Sequence, residues 1–348
     1  MKNRIAVIAV LTIVLAAAAS LSLLQLPVRA ETYELTVNDD FGRNITLKEF
    51  PTRIISLSPT STEILFAIGA GDRVVGVTEY CNYPEEAEER GKIGGVSTVS
   101  IEKVVSLEPD LVFGDKLNGK GTFERLEELD IPVVGLNPVN ISGILDDIML
   151  VGQLTGEEKK ASSLVCDMER RLETIKNRTR DVSRPKVAHI TWHSPIWVAG
   201  SGTVQNELIE LAGGKNVFSD LKDWDTVSLE EFIDRNPDVI IVSVGHGVAG
   251  MKPYEYILNE ERLKIVTGVE KGRVYTINAD IASRSGPRIV DATETVYGYL
   301  SEFFNSTEEG PALSTPITPK PSGFEVGCTV IGLLAVMYLL RRNSFKKP

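Results

Sequence analysis

Between residues 52 and 304, short runs of β-branched and aliphatic residues alternate with longer stretches whose apolar positions recur at helical spacing. The short runs at 54–57, 74–77, 111–113, 133–136, 187–190, 196–199, 239–244 and 274–277 are predicted strands, and the stretches between them predicted helices. This alternation is the mark of an α/β fold with parallel sheets. The strands fall into two groups of four. Between the groups lies a polar-faced stretch at 157–180 that contains no proline and predicts one long helix. The pattern therefore predicts an N-terminal α/β lobe over 51–155, a connecting helix over 156–182 and a C-terminal α/β lobe over 183–304, with residues 31–50 as an extension ahead of the first lobe.

One unit recurs in the two halves. Val99-Ser100-Ile101-Glu102, followed by Glu108-Pro109-Asp110-Leu111-Val112, returns as Val227-Ser228-Leu229-Glu230, followed by Asn236-Pro237-Asp238-Val239-Ile240. In each copy a serine caps a predicted helix, a glutamate occupies its first turn and Pro-Asp leads into a buried strand. Two roles are open to Glu102 and Glu230: stabilising a helix N-terminus, or presenting one exposed acid per lobe to a pseudo-symmetric partner that grips both with arginines.

Both ends of the chain carry apolar runs that do not belong to this pattern. Lys2 and Arg4 precede an apolar stretch at 5–24, and Val28-Arg29-Ala30 offers the small-x-Ala pattern of a signal-peptidase site, so residues 1–30 read as a secretory signal; an uncleaved anchor is the alternative. Residues 305–322 form a linker rich in Ser, Thr and Pro. The stretch 326–340 and Arg341-Arg342 follow, read within 323–348 as a hydrophobic anchor or sorting signal that tethers the protein to the outer face of the membrane. Pro321-Ser322-Gly323-Phe324-Glu325 ahead of that run resembles the Pro-Gly-Phe signal of archaeal sortases. Sequons at Asn44, Asn140, Asn177 and Asn305 agree with a surface location.

In open α/β sheets ligands bind beyond the carboxyl ends of the strands. The residues there are aromatic and polar: Ser58 to Glu63, with a helix starting near Glu63; Tyr80 and Tyr83; Asp115; Trp192 and His193, with Trp197 close behind; His246; and Asp280, Arg284 and Arg288. Trp192 and Trp197 read either as hairpin packing or as a ligand platform, whereas Trp224, set between two aspartates just before a helix, reads as a platform. His189 lies inside a predicted strand and reads as buried structure. His193 and His246, at strand ends, read as polar walls or metal ligands.

Composition narrows the classes. The net charge of −11 over 348 residues argues against nucleic acid or anionic lipid as a partner. Three cysteines without a CxxC pair exclude a disulfide scaffold or a zinc site of that type. No HExxH or GxSxG motif is present, and Gly114 to Lys120 lacks the Ser or Thr that would complete a phosphate-binding loop.

Arg53 to Val77, Tyr80-Cys-Asn-Tyr83-Pro84, Ser100-Ile-Glu102, Leu107 to Val112, Val198-Ala-Gly-Ser-Gly-Thr, Glu207 to Phe218 and Gly286-Pro-Arg288 together resemble the cobalamin and ferric-siderophore substrate-binding proteins of ABC importers, over about residues 52–304. The resemblance implies two Rossmann-like lobes joined by one rigid helix, and a ligand held between them with limited closure. It implies a monomeric subunit without catalytic activity or resident cofactor, whose metal arrives inside a small-molecule chelate. Its partner would be a permease dimer with ATPase subunits, docked through Glu102 and Glu230. Tyr80 and Trp224 match aromatics that cobalamin binders set against the corrin, Asp280 falls near an acid that accepts from the ligand, and Val96 and Asp115 stand where one cobalamin binder has tryptophans. A corrinoid is the first expectation. A ferric siderophore or haem is the second, with Arg284 and Arg288 on ligand carboxylates or His193 or His246 near iron. A surface enzyme using Asp115, Glu63 or His193 as base is the rival from another class.

Overall fold

The computed structural model describes residues 34–245 and 250–304. The predicted signal and anchor segments, the linker and its sequon at Asn305, and His246 lie outside the described residues.

Strands β1 (Leu35–Asn38) and β2 (Asn44–Leu47) pair as a two-stranded ribbon. Its turn is closed by Asp39, whose Oδ1 accepts from the backbone N–H of Arg43 at 2.8 Å while Oδ2 accepts from Gly135 N at 2.9 Å.

The first α/β sheet contains β3 (Ile54–Ser56), β4 (Val74–Val77), the short β5 (Gly91–Lys92), β6 (Leu111–Gly114) and β7 (Val133–Gly135), in the order β5-β4-β3-β6-β7 and parallel throughout. Ile55, Leu57, Val112 and Leu126 are fully buried in its core, each contributing about 2 kcal/mol by leaving water. The helix after β3 runs Pro59–Ala67 and begins earlier than the expected start near Glu63. Ser58 caps it, accepting from Ser61 N, and proline at the first helical position has no N–H to lose. A buried hydroxyl network follows the same turn: Ser56 Oγ lies 2.7 Å from Ser61 Oγ, and Thr62 Oγ1 donates to Ser56 Oγ at 2.7 Å.

The helix Ile141–Thr155 ends at Gly156, which takes the left-handed conformation that closes a helix, and the helix Glu158–Arg178 follows. Its 21 residues span about 32 Å. Ala161, Met168, Leu172 and Ile175 form its buried stripe, against the Ile141–Thr155 helix and the helix Ile289–Leu300. At its start Arg73 donates to Thr155 O at 2.8 Å and to Glu157 Oε1 at 3.1 Å. Further along, Arg171 reaches Asp291 and Glu294 of the Ile289–Leu300 helix, each at 2.6 Å.

The second sheet contains β8 (Lys186–His193), β9 (Ile196–Ala199), the short β10 (Lys215–Asn216), β11 (Trp224–Val227), β12 (Val239–Val244) and β13 (Val274–Asn278), in the order β11-β9-β8-β12-β13 with β10 beside β8. It departs from the parallel expectation at β9, which runs antiparallel to both β8 and β11. The reason is connection length. Only Ser194-Pro195 joins β8 to β9, and a parallel crossover needs a dozen or more residues.

The repeated unit has the same structure twice. Ser100 caps the helix Ile101–Ser106 and Ser228 caps the helix Leu229–Arg235. Each helix is left through a residue of positive φ, Glu108 at 46° and Asn236 at 44°. The aspartates that follow then hold the entry to the central strand of their sheet: Asp110 accepts from Thr52 N at 2.7 Å, and Asp238 from Lys186 N at 2.8 Å.

Candidate functional site

Parallel strands place their carboxyl ends on one edge of a sheet, so the residues singled out by sequence collect at two edges. Beyond the first sheet lie Ser58, Tyr80, Tyr83 and Asp115; Trp192 and His193 end β8 of the second, and Asp280, Arg284 and Arg288 lie beyond its β13. Contacts across the lobes bring these edges together.

The link centres on Glu63. Arg288 donates from Nε to Glu63 Oε2 at 2.8 Å and from Nη2 to Oε1 at 2.6 Å, a two-pronged pair, and Arg284 Nη1 donates to Oε1 at 2.9 Å. Arg284 also reaches Asn82 Oδ1 at 2.8 Å, Asp280 at 2.9 Å and the carbonyl of Tyr80 at 3.3 Å, while Asn82 Nδ2 donates to Asp280 at 3.1 Å. The Arg288 guanidinium lies 4.0 Å over the ring of Tyr83, a stacked cation worth about 1 kcal/mol. The Glu63 side chain is 2% exposed, so this ion cluster is nearly dry on the first-lobe side. Neither Glu63 nor Asn82 was read from sequence as a partner of the arginines.

Around the cluster the walls are aromatic. Tyr80 and Tyr83 are 46% and 47% exposed on the first lobe, and Trp192 and Trp197 are each 39% exposed on the second. Trp192 and Trp197 are direct cross-strand partners on the β8–β9 hairpin, so their indoles share one face. The next pair is His193 with the buried Ile196. The His193 ring lies 5.4 Å from Trp192 and 5.3 Å from Tyr256, and its Nδ1 is buried without a hydrogen-bond partner.

Trp224 occupies a different level. Paired with Ala199 at the start of β11, it stands several residues back from the carboxyl edge, half-buried, with its ring 5.9 Å from that of His189. His189 is buried, bonds Ser243 Oγ through Nε2 at 2.8 Å, and has its pKa pushed down to about 4 because burial disfavours the imidazolium.

Asp115 caps the short turn after β6, accepting from Leu117 N at 2.8 Å; burial raises its carboxyl above the usual range, against the hydrogen bonds it receives. Glu102 and Glu230 are both exposed, away from this cluster, each on the second residue of its capped helix. Among the described residues no group of three His, Cys, Asp or Glu side chains is placed to hold a metal ion, and no helix is long and apolar enough to cross a membrane.

A family profile described as periplasmic binding protein matches residues 54–281. The chain belongs to that family. Its relatives include an uncharacterised ABC transporter substrate-binding lipoprotein of Bacillus subtilis, YvrC, 30% identical over 274 residues (76% of this chain, 85% of the relative). The vitamin B12-binding protein of Vibrio cholerae is 30% identical over 262 residues (74% and 92%). Among solved structures of this periplasmic binding fold, the vitamin B12-binding protein BtuF of V. cholerae superposes with a TM-score of 0.63 at 27% identity, over 74% of this chain and 99% of that one. The haem-binding protein RhuT of Roseiflexus sp. RS-1 does so with a TM-score of 0.63 at 26% identity, over 71% and 98%. Residues 323–343 match the PGF-CTERM motif, which marks a surface-anchored, extracytoplasmic protein.

Proposed function

We propose that this chain is the substrate-binding subunit of an ABC importer: a monomer held at the outer face of the membrane, without catalytic activity. It would take a corrinoid between its two lobes and deliver it to a permease dimer driven by ATPase subunits. The observation that carries the corrinoid reading is the set of half-exposed aromatic rings on facing edges, Tyr80 and Tyr83 from one lobe and Trp192 and Trp197 from the other. A broad, rigid, largely apolar ligand gains most from such preformed surfaces, because few side chains have to be ordered on binding. The vitamin B12-binding relatives support the same choice. Asp115 and His193 supply polar contacts in this reading, and Glu102 and Glu230 form the permease-docking pair.

The reading of residues 51–155 and 183–304 as lobes and 156–182 as the connecting helix belongs to the same proposal. So does secretion by residues 1–30, with 31–50 as an extension, 305–322 as a linker and 323–348 as anchor.

A ferric chelate or haem is the second reading. The unpartnered Nδ1 of His193 favours it, together with the haem-binding relative. Calorimetric titration of the full chain in detergent with cyanocobalamin, then with haemin, separates the two. A submicromolar cyanocobalamin isotherm with one site is the expected result, and haemin binding alone would transfer the assignment to the second reading.

A further inference from the structure

The two guanidiniums nearest the aromatic walls are already matched. Arg288 spends two donors on Glu63, and Arg284 divides its donors between Glu63 and Asp280. Two cations therefore face two carboxylates, and the side chains of Arg284 and Arg288 are only 11% and 17% exposed. On the first-lobe edge, the exposed Lys116 stands next to Asp115 and acts on its carboxylate.

We propose that Glu63 is a specificity determinant: by neutralising Arg284 and Arg288 between the lobes, it excludes strongly anionic chelates and reserves the cleft for ligands of little net charge. The inference rests on the reading of this cleft as the ligand site. An incoming anion would have to take the arginines from Glu63. That would leave a buried carboxylate without its counter-charge, a far less favourable state than the pair it replaces. An anion that left the pair intact would find both guanidiniums already matched, on a chain whose net charge is −11. A nearly neutral ligand with a broad apolar face disturbs none of these contacts. Sequence alone would assign the arginines the opposite role, as anchors for ligand carboxylates; it is Glu63, distant in the chain, that reverses it.

The test compares the full chain with Glu63→Gln in detergent, by quenching of tryptophan fluorescence. The two probes are cyanocobalamin and a trianionic hexadentate iron(III) tricatecholate. Glutamine keeps the shape and one acceptor for Arg288 while releasing positive charge. The variant is expected to bind the tricatecholate at least tenfold more tightly than the natural chain, with cyanocobalamin affinity changed less than threefold. Equal tricatecholate affinity in the two forms, with cooperative melting of both, would overturn the proposal, as would tight tricatecholate binding by the natural chain. If Glu63→Gln melts without cooperativity, a variant in which the whole cluster is uncharged, Glu63→Gln with Asp280→Asn, Arg284→Gln and Arg288→Gln, carries the test. It should match the natural chain with both probes, and a tenfold loss of tricatecholate affinity would show the arginines to be anchors after all. A gain of tricatecholate binding in Glu63→Gln, with no cyanocobalamin binding by either form, would sink the corrinoid reading and leave the charge mask standing.

Discussion

Glu102 and Glu230 occupy the same position of the same structure: each is the second residue of a short helix whose preceding serine accepts the backbone N–H three residues on, Lys103 N for Ser100 and Glu231 N for Ser228. Glu230 is 76% exposed on its side chain and meets only a long 3.8 Å contact from Arg262. An exposed acid of this kind adds a few tenths of a kcal/mol to its helix, so its removal costs the fold little. The double charge reversal Glu102→Lys with Glu230→Lys is expected to abolish uptake of labelled ligand by whole cells while leaving solution affinity within twofold. A matching loss of affinity would move both residues into the ligand site.

The Trp224 ring lies 5.9 Å from that of His189, whose burial holds the imidazole neutral. Trp224→Ala should admit water and raise the His189 pKa from about 4 toward the ordinary 6.5, readable by NMR titration of the imidazole Cε1 proton. Because the folded-state value lies below the unfolded one, the natural chain binds fewer protons folded than unfolded between about pH 4 and 6.5, and loses stability as pH falls through that window. An unchanged titration curve in the variant would assign the low pKa to other neighbours.

Asp147 behaves in the opposite sense. It is buried, its Oδ2 has no hydrogen-bond partner, and burial, followed by the nearby carboxyls of Asp40 and Asp146, pushes its pKa up to about 9. The folded chain thus retains a proton that the unfolded chain releases near pH 4, so stability declines as pH rises from about 4 to about 9. Asp147→Asn, uncharged at every pH, is expected to flatten this decline and to unfold at higher denaturant than the natural chain at pH 8.5. Equal midpoints at pH 8.5 would refute the assignment.

Arg171 fixes the connecting helix to the Ile289–Leu300 helix, and its two carboxylate partners, Glu294 foremost, hold its guanidinium well above its usual pKa. Arg171→Ala should cost about 1 kcal/mol, a fall of roughly 2–4 °C in Tm. Lys176→Ala, which removes an exposed 3.7 Å pair with Glu173 on the same helix, should change Tm by less than a degree. Equal effects would mean that the bridging contact adds nothing beyond surface charge.

How much of this was legible in the sequence depended on distance along the chain. Strands and helices announce themselves within a dozen residues, and the repeated Ser-x-Glu helix was readable because both copies keep the cap, the acid and the Pro-Asp exit. The start of the helix Pro59–Ala67 was misplaced although Ser58-Pro59 carries its cap signature. The antiparallel turn at Ser194-Pro195 was likewise present as a spacing too short for a crossover. The partnership of Glu63 with Arg284 and Arg288 had no local sign at all, since 221 and 225 residues separate them. Trp224 was read as a ligand platform from its two aspartate neighbours, and what the sequence did not carry is the pairing of β11 with β9, which sets it level with Ala199.

Asp110 and Asp238 do more than end their helices. Each stitches the helix exit to the start of the central strand of its own sheet, after the same left-handed step and the same proline. Side-chain chemistry and backbone path thus repeat together, so one local device sets the register of both central strands. The antiparallel β9 stands outside that repeat, and Glu102 and Glu230 hold equivalent places within it.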